Sequence, residues 1–202
     1  MEEVNSKEKI LIESEALFMK FGVRSVSMDD IARHLSVSKK TLYQHFADKD
    51  ELVTMMAQRH MKQDKETFEA ISKQSKNAID ELVKISELMK RDLQDMNPSL
   101  LFDLQKFHTK AWNVWLDYRD NYVRKSVVRN LKQGIEEGYF REELNPEIIA
   151  TLRIEGLELG FDTKKFPQGK FNFSEVQLHI FNHFIYGLLT DKGKKLYEKY
   201  KS

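Results

Sequence analysis

Three helix starts crowd into a short stretch near the front of the chain, at Ser27, Ser38 and Asp48, and their spacing leaves little choice of local fold. Each is a small polar residue that can accept a hydrogen bond from the open N–H groups of a helix's first turn. Around each, apolar residues sit where a hydrophobic staple would place them: Val26 with Ile31, Val37 with Leu42, Ala47 with Leu52. Upstream, Ile10, Leu17, Phe18 and Phe21 share one helical face, and Gly22 is placed to end that helix. Between the second helix, which runs to about Leu35, and the third, only Ser36 and Val37 remain. The two must cross steeply about a tight turn, which is a helix-turn-helix.

The first turns of these helices differ in charge. The second opens with Asp29 and Asp30 and the fourth with Asp50 and Glu51, all suited to the positive end of a helix dipole. The third opens with Lys39 and Lys40, which that dipole disfavours by a few tenths of a kcal/mol. A local rule broken in one helix and obeyed by its neighbours marks a functional surface. Leu42 and Phe46, four apart, seal the third helix to a core and leave Lys39, Lys40, Tyr43 and Gln44 facing outward. Lysines beside an exposed tyrosine suit a polyanion such as a DNA backbone, although two lysines alone would equally serve a solvated surface.

The totals are silent on this point. The chain has 202 residues, with 33 basic and 32 acidic side chains and a formal charge of +1, so any nucleic-acid affinity must come from a local patch. Between Lys20 and Phe46 such a patch exists: Lys20, Arg24, Arg33, Lys39 and Lys40 stand against Asp29 and Asp30, a local excess of three positive charges. The absence of cysteine removes disulfides, thiolate chemistry and Cys-ligated metals. The acidic, polar start MEEVNSKEKI is unlike a signal peptide, and no apolar run approaches the ~20 residues of a membrane span, so a soluble cytoplasmic protein with no membrane partner is expected. Only three prolines and eight glycines interrupt the chain, and apolar spacing of three and four elsewhere predicts an all-α fold.

The stretch FGVRSVSMDDIARHLSVSKKTLYQHFADKDELV resembles the N-terminal region of TetR-family transcriptional regulators, in the Gly22 stop, the DDIA of the second helix, VSKxTLYxHF of the third and K-x-E-L of the fourth. NLKQGIEEGYFREELNPEIIATL resembles the family's seventh and eighth helices. The resemblance implies an N-terminal three-helix helix-turn-helix DNA-binding domain over residues 1–48, joined to a larger helical effector-binding and dimerisation domain over 49–202. It places Ser27, Met28, Lys39, Lys40 and Thr41 close to DNA and matches Tyr43, His45 and Lys49 to phosphate contacts. Arg33, Ser38 and Gln44 complete the expected interface. Two departures stand out: Ser36 occupies a position where relatives commonly have glycine, and Lys40 replaces a small residue. A left-handed backbone at Ser36 would carry a cost that glycine avoids.

Beyond Lys49 the fourth helix is expected to continue past Arg59. Further helices are expected near 78–95, 99–118, 120–138, 146–161, 174–190 and 191–200. PEIIATLRIEGLELGF and FSEVQLHIFNHFIYGLL are apolar on more than one side, and the resemblance implies a two-fold four-helix dimer interface through Ile149, Leu152, Gly156, Leu157, Gly160, Phe181, Phe184 and Leu188. Two core helices of a monomer would give the same pattern. Phe102, Phe107, His108, Trp112, Trp115 and Tyr118 form an aromatic-rich run that could line a pocket for an apolar or aromatic effector, or simply pack as core. His179 and His183 share a helix face, but Ile180 stands where a metalloprotease has glutamate and no third ligand is evident, so no metal or cofactor is expected.

The reading is a dimeric, ligand-responsive DNA-binding regulator, in the family's usual mode a repressor. It would bind a near-palindromic operator, with two recognition units about one DNA turn (~34 Å) apart. It is not read as an enzyme, since no Ser-His-Asp signature, phosphate-binding glycine loop or cysteine nucleophile is present. The alternatives are a helical small-molecule-binding protein or enzyme, and a dimeric adaptor without DNA binding. Neither explains the lysines of the third helix.

Overall fold

The structure, a computed structural model, describes residues 2–94 and 96–201, with side chains from residue 6 onward. Its helices are α1 (Glu2–Phe21), α2 (Met28–His34), α3 (Lys39–His45), α4 (Lys49–Gln74), α5 (Ala78–Asp92), α6 (Leu100–Phe107), α7 (Thr109–Tyr118), α8 (Arg124–Glu136), α9 (Pro146–Leu159), α10 (Phe173–Leu188) and α11 (Asp191–Lys201). Among the described residues there is no strand, and the one extended pairing is an isolated bridge between Phe140 and Leu189. The all-α expectation holds. No helix of the described residues is long and apolar enough to cross a membrane.

Two boundaries differ from those expected. The segment 99–118 breaks at His108, whose backbone (φ −134°, ψ 64°) leaves the helical region between α6 and α7. Conversely, no break separates 118 from 120. The chain passes from α7 into α8 through a π-helical turn, Arg119–Val123, in which Tyr118 stacks on Tyr122 at 5.3 Å. No proline or glycine lies there to stop the helix, so the wider turn absorbs the change of face.

The chain forms two compact units, one from Met1–Gln63 with Asp95–Leu116 and the other from Asp64–Gln94 with Asp117–Ser202. In the first, Phe18, Val23, Ile31, Leu42, Phe46, Leu52 and Val53 make a closed core. The start of α2 is a full capping box: the Asp30 N–H donates to the Ser27 hydroxyl at 3.2 Å and the Ser27 N–H donates to Asp30 Oδ2 at 2.9 Å. Ser38 caps α3 through the Thr41 N–H at 3.0 Å, and Asp48 caps α4 through the Glu51 N–H at 2.8 Å. Each such cap contributes about 1 kcal/mol. Gly22, with φ 81°, ends α1 as expected, its N–H donating to Phe18 O at 2.9 Å.

The turn between α2 and α3 is a Schellman motif. The Val37 N–H donates to Ala32 O at 2.9 Å and the Ser36 N–H to Arg33 O at 3.1 Å, leaving Ser36 with φ 55°. The end of α8 repeats the motif: Tyr139 donates to Gly134 O and Gly138 to Ile135 O, with φ 69° at Gly138. One motif uses the residue suited to it and the other does not.

In the second unit α5, α8, α10 and α11 enclose Ile79, Leu131, Phe140, Phe181, Ile185, Leu188 and Tyr197. Gly134 admits the Phe140 ring, since a Cβ there would lie 2.0 Å from Cδ2. Two buried carboxylates are paired: Glu81 receives Arg129 and, at 2.8 Å, the Asn130 amide, and Asp80 accepts the Lys76 N–H at 2.8 Å and Lys84 Nζ at 3.0 Å. Asn145 caps α9, with Pro146 in its first turn.

Candidate nucleic-acid interface

α3 divides into an inward and an outward side. Leu42 and Phe46 are fully enclosed, whereas Tyr43 is 49% exposed and Lys39, Lys40 and Gln44 are exposed beside it. The burial of two residues four apart fixes which way the other side points. Thr41 and Ser38 join hydroxyls at 2.8 Å, so the cap also holds the Thr41 side chain. His45 is half-buried, its ring centroid 6.4 Å from that of Phe46.

The two lysines are not equivalent. Lys39 Nζ sits 2.5 Å from Asp29 Oδ2, so the first turn of α2 neutralises part of the charge in the first turn of α3. Lys40 pairs with no described residue. Sequence reasoning took Asp29 only as a partner for its own helix dipole. The acid at the neighbouring helix start was visible, but the pairing needs the crossing of α2 and α3.

Elsewhere the expected set separates. Ser27 and Arg33 are exposed, both engaged by Asp30, with Arg33 Nη1 at 3.2 Å from Oδ1. The Ser27 hydroxyl, its N–H and the nearby Arg33 charge hold the Asp30 carboxyl below its ordinary range despite some desolvation. Met28, expected near DNA, is instead a core residue, 7% exposed and packed with Ile31 and Ala32. As the first helical residue it points under the helix, where the staple closes. Lys49, expected on phosphate, turns inward: its ammonium donates to Val23 O at 2.6 Å and lies 5.7 Å from the Phe18 ring centre. Burial lowers its pKa against the pull of Asp103 and Asp30.

Residues far along the sequence brace this unit, and no local signal could have found them. Asp103, buried on α6, accepts the Arg24 N–H at 3.1 Å, and the Asn97 N–H donates to Met19 O at 2.6 Å. A Cβ on Gly22 would approach Ser99 Oγ to 2.9 Å. Glycine is favoured there by its φ of 81°, and a larger residue would also displace the Ser99 hydroxyl.

The aromatic run does not share one environment. Phe102 and Phe107 are exposed, with Lys106 Nζ 5.4 and 5.3 Å from their ring centres. His108 Nδ1 lies 3.0 Å from Asp50 Oδ1. Trp112 packs on the first unit's core and Trp115 is buried, while Tyr118 belongs to the second unit. Of the expected dimer residues, Leu152 is 61% exposed, Ile149, Gly156, Leu157 and Phe184 are half-buried, and Gly160 packs against Gln177. Phe181 and Leu188 are corrections: both lie within the second unit's own core. Ile148, Leu159 and Tyr186, which sequence reasoning passed over, are exposed instead.

Residues 10–56, which contain this capped helix pair, match the family described as bacterial regulatory proteins, tetR family. This segment carries the N-terminal domain of the TetR family. Over longer stretches the chain is similar to transcriptional regulators. It is 23% identical over 188 residues to the uncharacterized HTH-type transcriptional regulator YvaF of Bacillus subtilis, covering 92% of this chain and 96% of that protein. It is 26% identical over 151 residues to the HTH-type transcriptional repressor KstR2 of Mycobacterium tuberculosis, covering 73% and 76%. The structure of KstR2, a ketosteroid transcriptional regulator, superposes with a TM-score of 0.64 at 21% identity over 92% of this chain and 96% of that one. A TetR-family regulator from Agrobacterium tumefaciens gives a TM-score of 0.78 at 11% identity, covering 93% and 100%. These likenesses extend the shared fold beyond the helix-turn-helix to nearly the whole chain.

Proposed function

We propose that this TetR-family regulator is a ligand-responsive repressor that binds a near-palindromic operator as a homodimer and is released by a small apolar or aromatic molecule. Residues 1–48 act as the DNA-binding domain, and 49–202 carry effector binding and dimerisation. The site of action is the cytoplasm, and the protein performs no catalysis. The observation that carries the reading is the outward side of α3, where Lys40 is unpaired and Tyr43 and Gln44 are exposed over the fixed anchors Leu42 and Phe46. That is the arrangement in which side chains at a recognition helix's start reach base edges while neighbours hold phosphate.

Ser27, Arg33, Ser38, Thr41 and His45 flank the DNA-facing surface, and Lys39 joins it by exchanging Asp29 for phosphate. The likeness to the repressor KstR2 supports repression. Effector and DNA favour different arrangements of the two subunits, which makes their binding mutually antagonistic. The aromatic run 102–118 contributes to this response through packing as well as any contact with ligand.

Selection of bound sequences from random duplex DNA tests the reading. A recovered near-palindrome, bound less tightly as salt rises and lost on combined Lys39→Ala and Lys40→Ala substitution, is the expected result. Recovery of no consensus sequence, or binding untouched by the double substitution, would overturn it.

A further inference from the structure

Among the described residues, the buried charges of the second unit have partners, with one exception. Glu81 and Asp80 each receive a cation and amide donors. Arg153, on α9, does not receive a carboxylate. The residue keeps some solvent contact, but Nη1 is shut away from water with no hydrogen-bond partner among the described residues. Nη2 reaches only Met89 Sδ, at 3.8 Å, and a thioether is a weak acceptor. The Phe181 and Phe184 ring centres stand 4.6 and 5.8 Å from the guanidinium carbon. Burial pushes the guanidinium down to about 10, with no neighbouring charge opposing it, so it remains a cation at neutral pH.

Such a group is costly. An aliphatic side chain of similar volume would fill the space between Met89 and the two rings without stranding a charge. Ring faces attract a cation, but they offer no lone pair to the in-plane N–H groups. The same α9–α10 seam carries a second orphan: Gln177, one turn before Phe181, is fully buried, and its Nε2 donates to Leu157 O at 3.0 Å while Oε1 has no partner. Two incomplete polar groups on one seam indicate a place that another molecule completes.

We infer that Arg153 is the anion-recognition residue of the effector site, and that the effector is an apolar monocarboxylic acid whose carboxylate takes Nη1 while its body lies against Met89, Phe181 and Phe184. The inference rests on the reading of the chain as ligand-responsive. A single guanidinium matches one negative charge, and its planar fork matches a carboxylate. A phosphate dianion would leave a buried net charge. The apolar lining demands an apolar body, and entry requires α9 and α10 to part around it.

The test compares purified dimeric wild type with Arg153→Met and Arg153→Lys, titrated calorimetrically with decanoate and 4-phenylbutanoate, their matched alcohols, and decyl phosphate. The expected result is that at least one acid binds wild type more than about tenfold tighter than its alcohol, as a charge-assisted hydrogen bond in a desolvated site requires, and that decyl phosphate gains no comparable preference. Arg153→Met, folded by circular dichroism, should bind acid and alcohol alike, and Arg153→Lys should keep part of the preference. Binding of neither acid, equal binding of acid and alcohol by wild type, or an undiminished preference in Arg153→Met would overturn the inference. So would dissociation of the Arg153→Met dimer with acid binding unchanged, because Arg153 would then serve a partner's carboxylate. Operator binding in the same samples separates the two readings. An acid held through Arg153 that leaves DNA bound overturns ligand-responsive release and keeps the anion site, whereas release by acid and alcohol equally well, in wild type and Arg153→Met alike, does the reverse.

Discussion

Lys39 Nζ and Asp29 Oδ2, 2.5 Å apart, tie the first turn of α3 to the first turn of α2. Both side chains are about half exposed, so the pair contributes no more than about 1 kcal/mol, and a phosphate can replace the carboxylate. Removing Asp29 should therefore strengthen DNA binding. We expect Asp29→Ala to raise affinity for the selected operator about two- to fivefold at fixed salt, the range such a pair allows. In a Lys39→Ala background the gain should shrink. Anisotropy titrations on the four proteins of this cycle measure it, and equal gains in both backgrounds would mean that Asp29 acts only as general negative charge.

Lys40 has no such partner, and its place at the start of α3 suits a base edge. A lysine donating to guanine O6 or N7 discriminates by about 1–3 kcal/mol against the wrong base. Lys40→Ala should relax selectivity at one position of each half-site, whereas Tyr43→Phe should weaken all sequences alike. Repeating the random-sequence selection with each variant reads this directly. A uniform loss for Lys40→Ala would reassign it to phosphate.

Ser36 and Gly138 occupy the same position in two Schellman motifs, with φ 55° and 69°. The left-handed region costs a residue with a Cβ about 1–2 kcal/mol, offset in part by glycine's greater freedom when unfolded. Ser36→Gly should stabilise the protein by about 1 kcal/mol, or about 2–4 °C in melting temperature for a chain of this size. Gly138→Ala should move it the other way. Unchanged melting of Ser36→Gly would show that the serine is not strained.

What the sequence made legible was local. The caps at Ser27, Ser38 and Asp48 lie within three residues of the N–H groups they serve, and Leu42 with Phe46 needs only helical spacing to share a face. The strained Ser36 was foreseeable because a turn of that length needs a left-handed residue. Lys49 was misplaced because its partner, the Val23 carbonyl, is brought near only by folding. Phe181 and Leu188 were misplaced for another reason: a helix that is apolar all round does not say which face its own chain covers. Arg153 stood in plain view among apolar residues, yet only packing revealed that nothing answers its charge.

Asp80 sits below its ordinary pKa of 3.8: burial would raise it, but the Lys76 N–H and the Lys84 ammonium outweigh that. A carboxyl with a lowered folded pKa contributes stability above its unfolded value and loses it as pH falls through the folded one. The stability gap between wild type and Asp80→Asn should therefore be constant above about pH 5 and close below pH 4. Urea melts across that range test it. A gap that persists below the folded pKa would assign the effect to packing around Asn77 and Lys76.

Ile148, Leu152 and Leu159 lie along one face of α9 and are 59%, 61% and 39% exposed, more apolar surface than a single helix face normally leaves to water. Their spacing of four and seven keeps them in one stripe. Each aliphatic side chain covered by a second copy would contribute about 1.5–3 kcal/mol, and a two-fold contact uses every residue twice. A charge at the centre of that stripe should be strongly unfavourable in a dimer and nearly neutral in a free subunit. Leu152→Glu should thus turn the protein monomeric in sedimentation equilibrium without altering its helical circular dichroism, and operator affinity should fall toward that of a half-site. A surface change such as Lys194→Glu on α11 should do neither. If Leu152→Glu remains dimeric, the stripe serves some other partner and the symmetric operator must be explained by a different face.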